Sequence, residues 1–273
     1  MRQRKFYQYC NIIIVLLVVA LEAPPVFAED ALHKVVEVPT SKTLKLEDGS
    51  IVRLAAIQAP NIARDSSEDN APLSEEAHAA LQRLALGKTL RLETIGDGLD
   101  RRGRMVAMAY DEELWLQQEM LREGMAWVYS FEDSNEFADA LLVAEKEAET
   151  AKRGVWSEKS YAVLSPATAE QHIGEFRIVE GQVADVAEIG NRIYLNFGED
   201  WKTDFTVMID RNAIRNFEPA WLEALAGKHI RVRGWLYSKN GAAITASHPE
   251  QMEITHEKEP VVAGSDIGVV LRN

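Results

Sequence analysis

The sequence predicts a mostly β protein with several short helices, an α+β chain made of two consecutive units. Short segments in which apolar and polar residues alternate, separated by turn residues, predict the strands. Apolar residues at helical spacing, followed by glycine, predict the helices. The chain has 273 residues, 47% hydrophobic and 27% charged. It is therefore long and apolar enough to bury one large core or two small ones.

The first predicted unit spans residues 35–164 and opens with a β-hairpin. Thr43–Leu46 and Ile51–Leu54 alternate in polarity, and Asp48-Gly49 between them is typical of a tight turn. We expect Ser74 to cap the first helix of this unit. The other predicted strands cover residues 89–93 and 104–110, and the predicted helices cover residues 74–86, 116–123 and 137–152.

The second predicted unit spans residues 170–255, after a linker at Ser165-Pro166-Ala167. Its order of three strands, one helix and two strands is that of a small five-stranded OB-type barrel. Residues 256–273 lack periodicity and are predicted to be a flexible tail. The predicted strands cover residues 176–187, 191–197, 204–209, 229–237 and 242–247, and the predicted helix covers residues 214–225.

Residues 1–28 have the features of a signal peptide. A basic start precedes an apolar run from Ile12 to Leu21, and a small residue stands at Ala28. The apolar run is shorter than the roughly 20 residues that span a bilayer. We therefore expect cleavage after Ala28, export to the periplasm or medium, and no stable membrane insertion afterwards. The alternative is an uncleaved membrane anchor.

Charge and cysteine content exclude several kinds of function. The only cysteine, Cys10, lies in the predicted signal peptide. The mature chain would thus have no thiol catalysis, thiolate metal site or disulfide. The formal net charge is −13, which argues against a protein that coats nucleic acid through bulk positive charge. A site for a polyanion must therefore be local.

Four sequence runs of the first unit follow one another in a recognisable order. They are TLKLEDGSIVRL with IQAP (43–60), DRRGR (100–104), LREGMAW (121–127) and AKRGVWS (151–157). In this order they resemble the staphylococcal nuclease (thermonuclease) family. The resemblance implies a five-stranded OB-type barrel that carries three helices. It also implies an active site in which calcium and charged side chains hydrolyse phosphodiesters of DNA and RNA.

The resemblance also assigns roles to positions of this chain, and the acidic roles are vacant. Arg53 and Arg104 match the two arginines that hold the phosphate. Lys42 and Gln58 stand where the family has its two calcium carboxylates, and Asn61 stands where it has the general base. A carboxamide carries no charge and does not accept a proton near neutral pH. The resemblance thus predicts a calcium cofactor for the family but no calcium ligands, and no metal, here.

Our hypothesis is that Lys42, Arg53 and Arg104 form a metal-free cationic pocket in a pseudoenzyme. Its ligand would be single-stranded nucleic acid or a small phosphorylated anion, bound without catalysis. One alternative is an active or residual nuclease, with acids relocated to the loop that holds Asp65 and Glu68. A second alternative is an interaction module for an envelope protein. The two arginines could also be structural, paired with carboxylates of that loop.

A strand of the second unit carries a weaker signal for nucleic-acid binding. Alternation over residues 229–237 places Arg231, Arg233, Trp235 and Tyr237 on the face opposite the apolar residues. Arginines interleaved with aromatic residues suit single-stranded nucleic acid. The alternative is that Trp235 and Tyr237 pack against the first unit or under the helix, with the arginine stems covering them.

Overall fold

The computed structural model describes residues 31–60, 71–200 and 202–255. Over these ranges strands predominate and helices are few, which confirms the mostly β composition predicted from the sequence. No helix within the described ranges is long and apolar enough to cross a membrane. The predicted signal peptide and C-terminal tail lie outside the described residues.

The N-terminal half (residues 31–164) contains three helices and two sets of paired strands. Its elements are β1 (Leu32–Thr40), β2 (Thr43–Leu46), β3 (Ile51–Leu54), β4 (Ile57–Gln58), α1 (Ser74–Ala85), β5 (Thr89–Leu99), β6 (Met105–Asp111), β7 (Leu114–Trp115), α2 (Leu116–Arg122), β8 (Trp127–Val128) and α3 (Ala138–Thr150). The larger sheet has the order β3-β2-β1-β5-β6-β7, and β4 pairs with β8.

A parallel pairing closes the larger sheet into a ring. β3 pairs antiparallel with β2, as the predicted hairpin requires, and its other edge pairs in parallel with β6. Val52 lies opposite Met105 in that parallel pairing. The apolar faces of the ring and of the helices form one continuous core. Closure leaves β3 with a hydrogen-bonded neighbour on both sides, which fixes the direction of its side chains.

The start of α1 differs from the prediction. Ser74 does not cap the helix but is its first residue, and the preceding Leu73 has a left-handed φ of 59°. The Ser74 hydroxyl is buried and has no hydrogen-bond partner in the described part of the chain. Because the turn at Leu73 places the serine inside the helix, its hydroxyl does not reach the free backbone amides.

The C-terminal half (residues 165–255) contains two sheets around a second core. Their orders are β10-β11-β12-β15-β14 and β16-β13-β9. The elements are β9 (Phe176–Gln182), β10 (Asp185–Glu188), β11 (Ile193–Asn196), β12 (Thr206–Ile209), α4 (Pro219–Glu223), β13 (His229–Trp235), β14 (Tyr237–Ser238), β15 (Ala242–Ala246) and β16 (Met252–Thr255).

Three predicted elements of this half need correction. The strand predicted over 176–187 is divided into β9 and β10, which belong to different sheets. The helix predicted over 214–225 is a short 3₁₀ turn followed by α4 alone. Pro219 lacks an N–H group and disfavours helical backbone at the residue before it, so the helix begins there. The strand predicted over 229–237 is divided into β13 and β14, which also belong to different sheets. The strand β16 was not predicted.

Leu164 forms a bridge to β9, and the predicted linker that follows it leads directly into a 3₁₀ helix, Pro166–His172. The backbone N–H of Leu164 donates to Ile178 (2.9 Å), and the N–H of Glu180 donates back to Leu164 (2.9 Å). Trp127 of β8 and Phe176 of β9 share a small apolar cluster. The described residues from Ala31 onward form one compact unit. The division into domains at 35–164 and 170–255 stays a prediction.

Two arginines of β13 pair with carboxylates of α3 across the contact between the halves. Arg233 is 1% exposed. Its Nη1 lies 2.6 Å from Glu145, and its Nη2 contacts Glu253. Arg231 lies 3.0 Å from Glu149 and 2.8 Å from Glu180.

The burial of this pairing limits what the β13 arginines can contact. Arg231 and Arg233 are both buried and ion-paired, so they do not form an exposed nucleic-acid-binding surface. They contact carboxylates of the N-terminal half instead, while Trp235 of the same predicted face is 40% exposed. Glu145 and Glu149 lie four positions apart on one side of α3, and Arg231 and Arg233 lie two positions apart on one side of β13. The two glutamates can therefore pair with the two arginines at the same time.

Replacing Glu145 by glutamine should strongly destabilise the fold. The amide retains an oxygen for the N–H of Val128, which donates to Glu145 at 2.7 Å, but leaves Arg233 without its buried counter-charge. We expect the free energy of unfolding to fall by about 3 kcal/mol, as for other broken buried pairs. Urea denaturation measures the change.

The matched control is Glu47→Gln. Glu47 pairs with Lys34 at 3.3 Å, and both side chains are more than half exposed. This exposed pair should contribute less than about 1 kcal/mol. Equal losses in the two variants would contradict a dominant role for the buried pair.

A buried histidine forms a second contact between the halves. His248 is fully buried, with Nε2 at 2.8 Å from the Ser130 hydroxyl and Nδ1 at 3.0 Å from Oε1 of Gln251. An amide oxygen accepts only, so Nδ1 carries the proton and Nε2 accepts from serine. Burial lowers the pKa of His248, although the charges of Glu250 and Glu132 oppose this shift. The neutral ring is therefore the form that the fold accommodates.

The His248 contact should make stability depend on pH. The pKa of His248 in the folded protein is below its value of about 6.5 in the unfolded chain. The stabilisation is therefore complete above about pH 6.5. It declines as the pH falls below about 6.5, because the unfolded chain then binds a proton more readily than the folded protein does. We expect a loss on the order of 1 kcal/mol between pH 7.5 and 5.5. Urea unfolding of His248→Gln at both pH values should show a smaller loss, and an unchanged loss would contradict the assignment.

Candidate functional site

Strand pairing brings Lys42, Arg53 and Arg104 to the same end of the ring. Arg53 on β3 lies opposite Thr43, the residue after Lys42. On its other side Arg53 is in register with Val106, two residues after Arg104. The backbone N–H of Leu54 also donates to the carbonyl of Lys42 at 2.9 Å. The three cationic residues predicted from sequence thus belong to neighbouring strands and their ends.

Arg53 has no carboxylate within ion-pair distance among the described residues. Its guanidinium lies 5.8 Å from the ring centroid of Phe131, a cation–π contact. Burial lowers the pKa of Arg53, while Tyr129 and Asp100 oppose the shift and the charge of Arg104 adds to it. A guanidinium nevertheless stays protonated. Two nearby guanidinium groups therefore create a local positive potential in an acidic protein.

Arg104 is held in place by Asp100 at the preceding turn. Its Nε and Nη2 lie 2.8 and 2.6 Å from the carboxylate, and the backbone N–H groups of Arg102 and Arg104 donate to the other oxygen. Burial raises the pKa of Asp100, but these hydrogen bonds and the charge of Arg104 outweigh it and leave the pKa lowered. Asp65 and Glu68, the partners considered from sequence, lie outside the described residues.

Lys42 and Gln58 are directly bonded to each other. The ammonium of Lys42 donates to Oε1 of Gln58 at 2.8 Å. Gln58 is 4% exposed and donates from Nε2 to the carbonyl of Ala59 at 3.1 Å. The buried hydroxyl of Ser41 donates to the carbonyl of Pro60 at 2.6 Å. These bonds hold the segment before β2 against the end of β4, and one of them is made by the charged ammonium group of Lys42.

Calcium does not fit these two residues. It requires oxygen ligands, preferably carboxylates, and the amide oxygen of Gln58 already accepts from an ammonium group. The ammonium would also repel a divalent cation. In the described ranges no three His, Cys, Asp or Glu side chains group in a way that could hold a metal ion. Asn61, the third replaced position, lies outside the described residues.

The sequence did not associate the aromatic residues of both halves with this site. Tyr129 and Phe131 follow β8 and lie with their ring centroids 4.6 Å apart. Trp235 of the C-terminal half contacts Phe176, which in turn contacts Tyr129. Alternating aromatic residues from Trp127 to Phe131 were a signal in the sequence. Their proximity to Arg53 depends on the tertiary fold.

Comparison with known proteins agrees with this arrangement. Residues 51–158 match the family model described as staphylococcal nuclease homologue. This part of the chain is a staphylococcal nuclease family domain. Arg53, Gln58 and Arg104 lie inside the matched segment, whereas Lys42 precedes it.

Several curated proteins are similar to this domain. The probable staphylococcal-like nuclease CAN1 of Oryza sativa subsp. japonica is 32% identical over 39% of this chain and 28% of its own length. Endonuclease YncB of Bacillus subtilis (strain 168) is 28% identical over 48% of this chain and 62% of its own. The prophage-derived endonuclease YokF of the same organism is 30% identical, over 48% and 44% respectively. The chain thus spans less than two thirds of the length of these relatives.

Calcium should leave the thermal stability of this protein unchanged. A ligand that binds the folded state raises the unfolding temperature, by an amount that grows with the logarithm of its concentration relative to Kd. The Lys42–Gln58 pair carries no negative charge that could attract calcium. The variant Lys42→Asp/Gln58→Asp restores two carboxylates and should be stabilised by millimolar calcium. Differential scanning calorimetry measures both. A clear calcium-dependent shift of the unaltered protein would contradict the assignment, and magnesium is a control for ionic strength.

Proposed function

We propose that this protein binds single-stranded nucleic acid, or another phosphorylated anion, through Lys42, Arg53 and Arg104 without hydrolysing it. The arginines hold the phosphate oxygens, since their planar donors match that geometry. Lys42 contributes a point charge in place of the family's metal ion. The observation that carries the proposal is the 2.8 Å bond from the Lys42 ammonium to Gln58. The bond supports the proposal because it joins, through a cation of the chain itself, the two positions to which the family resemblance assigns calcium carboxylates.

The size of the missing contributions supports binding rather than hydrolysis. A positioned general base accelerates a reaction by roughly 10²–10⁴-fold. A metal ion that polarises the phosphoryl oxygen contributes several kcal/mol more. Without both, hydrolysis would be slower by about five orders of magnitude. Phosphate binding does not depend on either group and would remain.

We also propose two features beyond the site. Each half would be an OB-type barrel, which the closed ring of the N-terminal half and the strand order of the C-terminal half support. The protein would act outside the cytoplasm after cleavage at Ala28, supported by the basic and apolar residues before it. N-terminal sequencing of the exported protein should begin at Glu29, and retention of residues 1–28 would contradict export by cleavage.

Binding of a fluorescent single-stranded oligodeoxynucleotide at two salt concentrations tests the function. Arg53→Ala and Arg104→Ala should each weaken binding roughly tenfold and reduce the salt dependence, because each removes a phosphate contact. Arg91→Ala is the matched control. It is an arginine of the same ring that lies over Tyr110 and pairs with Glu93 at 3.7 Å. Unchanged affinity in both site variants would contradict the pocket, and no binding even at low salt would favour an interaction module.

A second candidate function is residual nuclease activity. The family match and the two retained arginines favour it, and curated relatives are named as nucleases. Incubation of denatured DNA with the protein and calcium separates the candidates. Cleavage at ordinary nuclease rates, lost in Arg53→Ala, would establish the enzyme and refute the binding proposal. Intact DNA under conditions of saturated binding supports it.

A further inference from the structure

A cleft of about 310 Å³ lies between the two halves, next to the Arg53 site. Its aromatic walls come from both halves: Tyr129 and Phe131 from the N-terminal half, Trp235 and Tyr237 from the C-terminal half. Its polar lining includes the hydroxyl-bearing side chain of Thr245. The volume is at the lower end of the range for small-molecule sites.

The aromatic walls have exposed ring surface. Phe131 is 38% exposed and Trp235 is 40% exposed, although both belong to residue types that fold into cores. Trp235 packs edge-on against Phe176, with the two ring centroids 6.1 Å apart. The ring is thus held in one orientation while part of its surface remains accessible. Such a fixed aromatic surface suits a planar ligand.

The charge around the cleft also selects the ligand. Among the described residues that line the cleft none carries a carboxylate, although the chain has a net charge of −13. The Arg53 guanidinium lies 5.8 Å from the ring of Phe131, one of the cleft walls. A ligand that fills the cleft and also reaches Arg53 would therefore combine a planar apolar part with an adjoining anion.

We infer that this cleft receives one nucleobase of a single-stranded nucleic acid whose adjoining phosphate lies at Arg53. The inference rests on the proposed function and adds a preference to it. Unpaired bases stack on aromatic side chains irrespective of sequence, whereas bases inside a duplex are already stacked and paired. By contributing an aromatic wall for an unpaired base, the C-terminal half would give the phosphate site a preference for single-stranded nucleic acid.

Three oligomers of equal length separate this inference from the proposed function. They are oligo(dT), an abasic deoxyribose-phosphate chain of the same charge, and a duplex. We expect oligo(dT) to bind roughly tenfold more tightly than the abasic chain, the range of one stacked base. We expect the duplex to bind no better than the abasic chain. Fluorescence anisotropy measures all three.

Two variants of one residue identify the stacking surface. Trp235→Leu keeps apolar bulk without an aromatic face and should abolish the preference for oligo(dT), while affinity for the abasic chain is unchanged. Trp235→Phe should retain part of the preference. Tyr194→Ala, an aromatic residue that lines a different cavity, is the control and should change nothing. The unfolding temperature of each variant verifies that it is folded.

The outcomes distinguish the two proposals. If Trp235→Leu retains the full preference, or if oligo(dT) and the abasic chain bind equally, the base site is refuted while phosphate binding at Arg53 stands. If no oligomer binds, or if Arg53→Ala leaves every affinity unchanged, the phosphate site fails and the base site fails with it.

Discussion

The relation between the two halves depends on buried charge pairing along one strand. Arg231 and Arg233 of β13 insert between Glu145 and Glu149 of α3 and two carboxylates of their own half. A buried guanidinium tolerates few alternative positions, since any displacement leaves a charge unpaired in an apolar surrounding. The charge pairs therefore favour the observed arrangement over a displaced one, and the cleft beside Arg53 is formed in this arrangement.

At the end of the ring, in contrast, positive charge is only partly compensated by carboxylates of the described residues. Arg53 and Arg104 lie close enough for their charges to interact, and Asp100 compensates for one of them. Within the described residues no comparable partner accompanies Arg53. Such an excess of positive charge has an energetic cost that an anionic ligand would remove. Among the described residues these two guanidinium groups thus give an acidic chain a local region of positive charge.

Hydrogen bonds within the chain join the positions at which the family resemblance expects calcium carboxylates. Gln58 lies in β4, paired with Trp127, and Ser41 ties the segment before β2 to Pro60. The ammonium of Lys42 donates to the amide oxygen of Gln58 and so joins the same two segments. An ammonium donor and an amide acceptor make this bond without an external cation.

The sequence alone determined the mostly β composition, the hairpin over residues 43–54, the family resemblance and which residue types stand at the positions that the resemblance assigns. These properties depend on local periodicity, turn residues and residue identity, and each of these can be recognised within a single short segment of the sequence. Only the tertiary structure decided the role of the β13 face, because alternation places Arg233 on a face but does not show what covers it. It also decided the grouping of Trp235 with Tyr129 and Phe131. Residues more than 100 positions apart meet only through the packing of the two halves, and no local pattern encodes that contact.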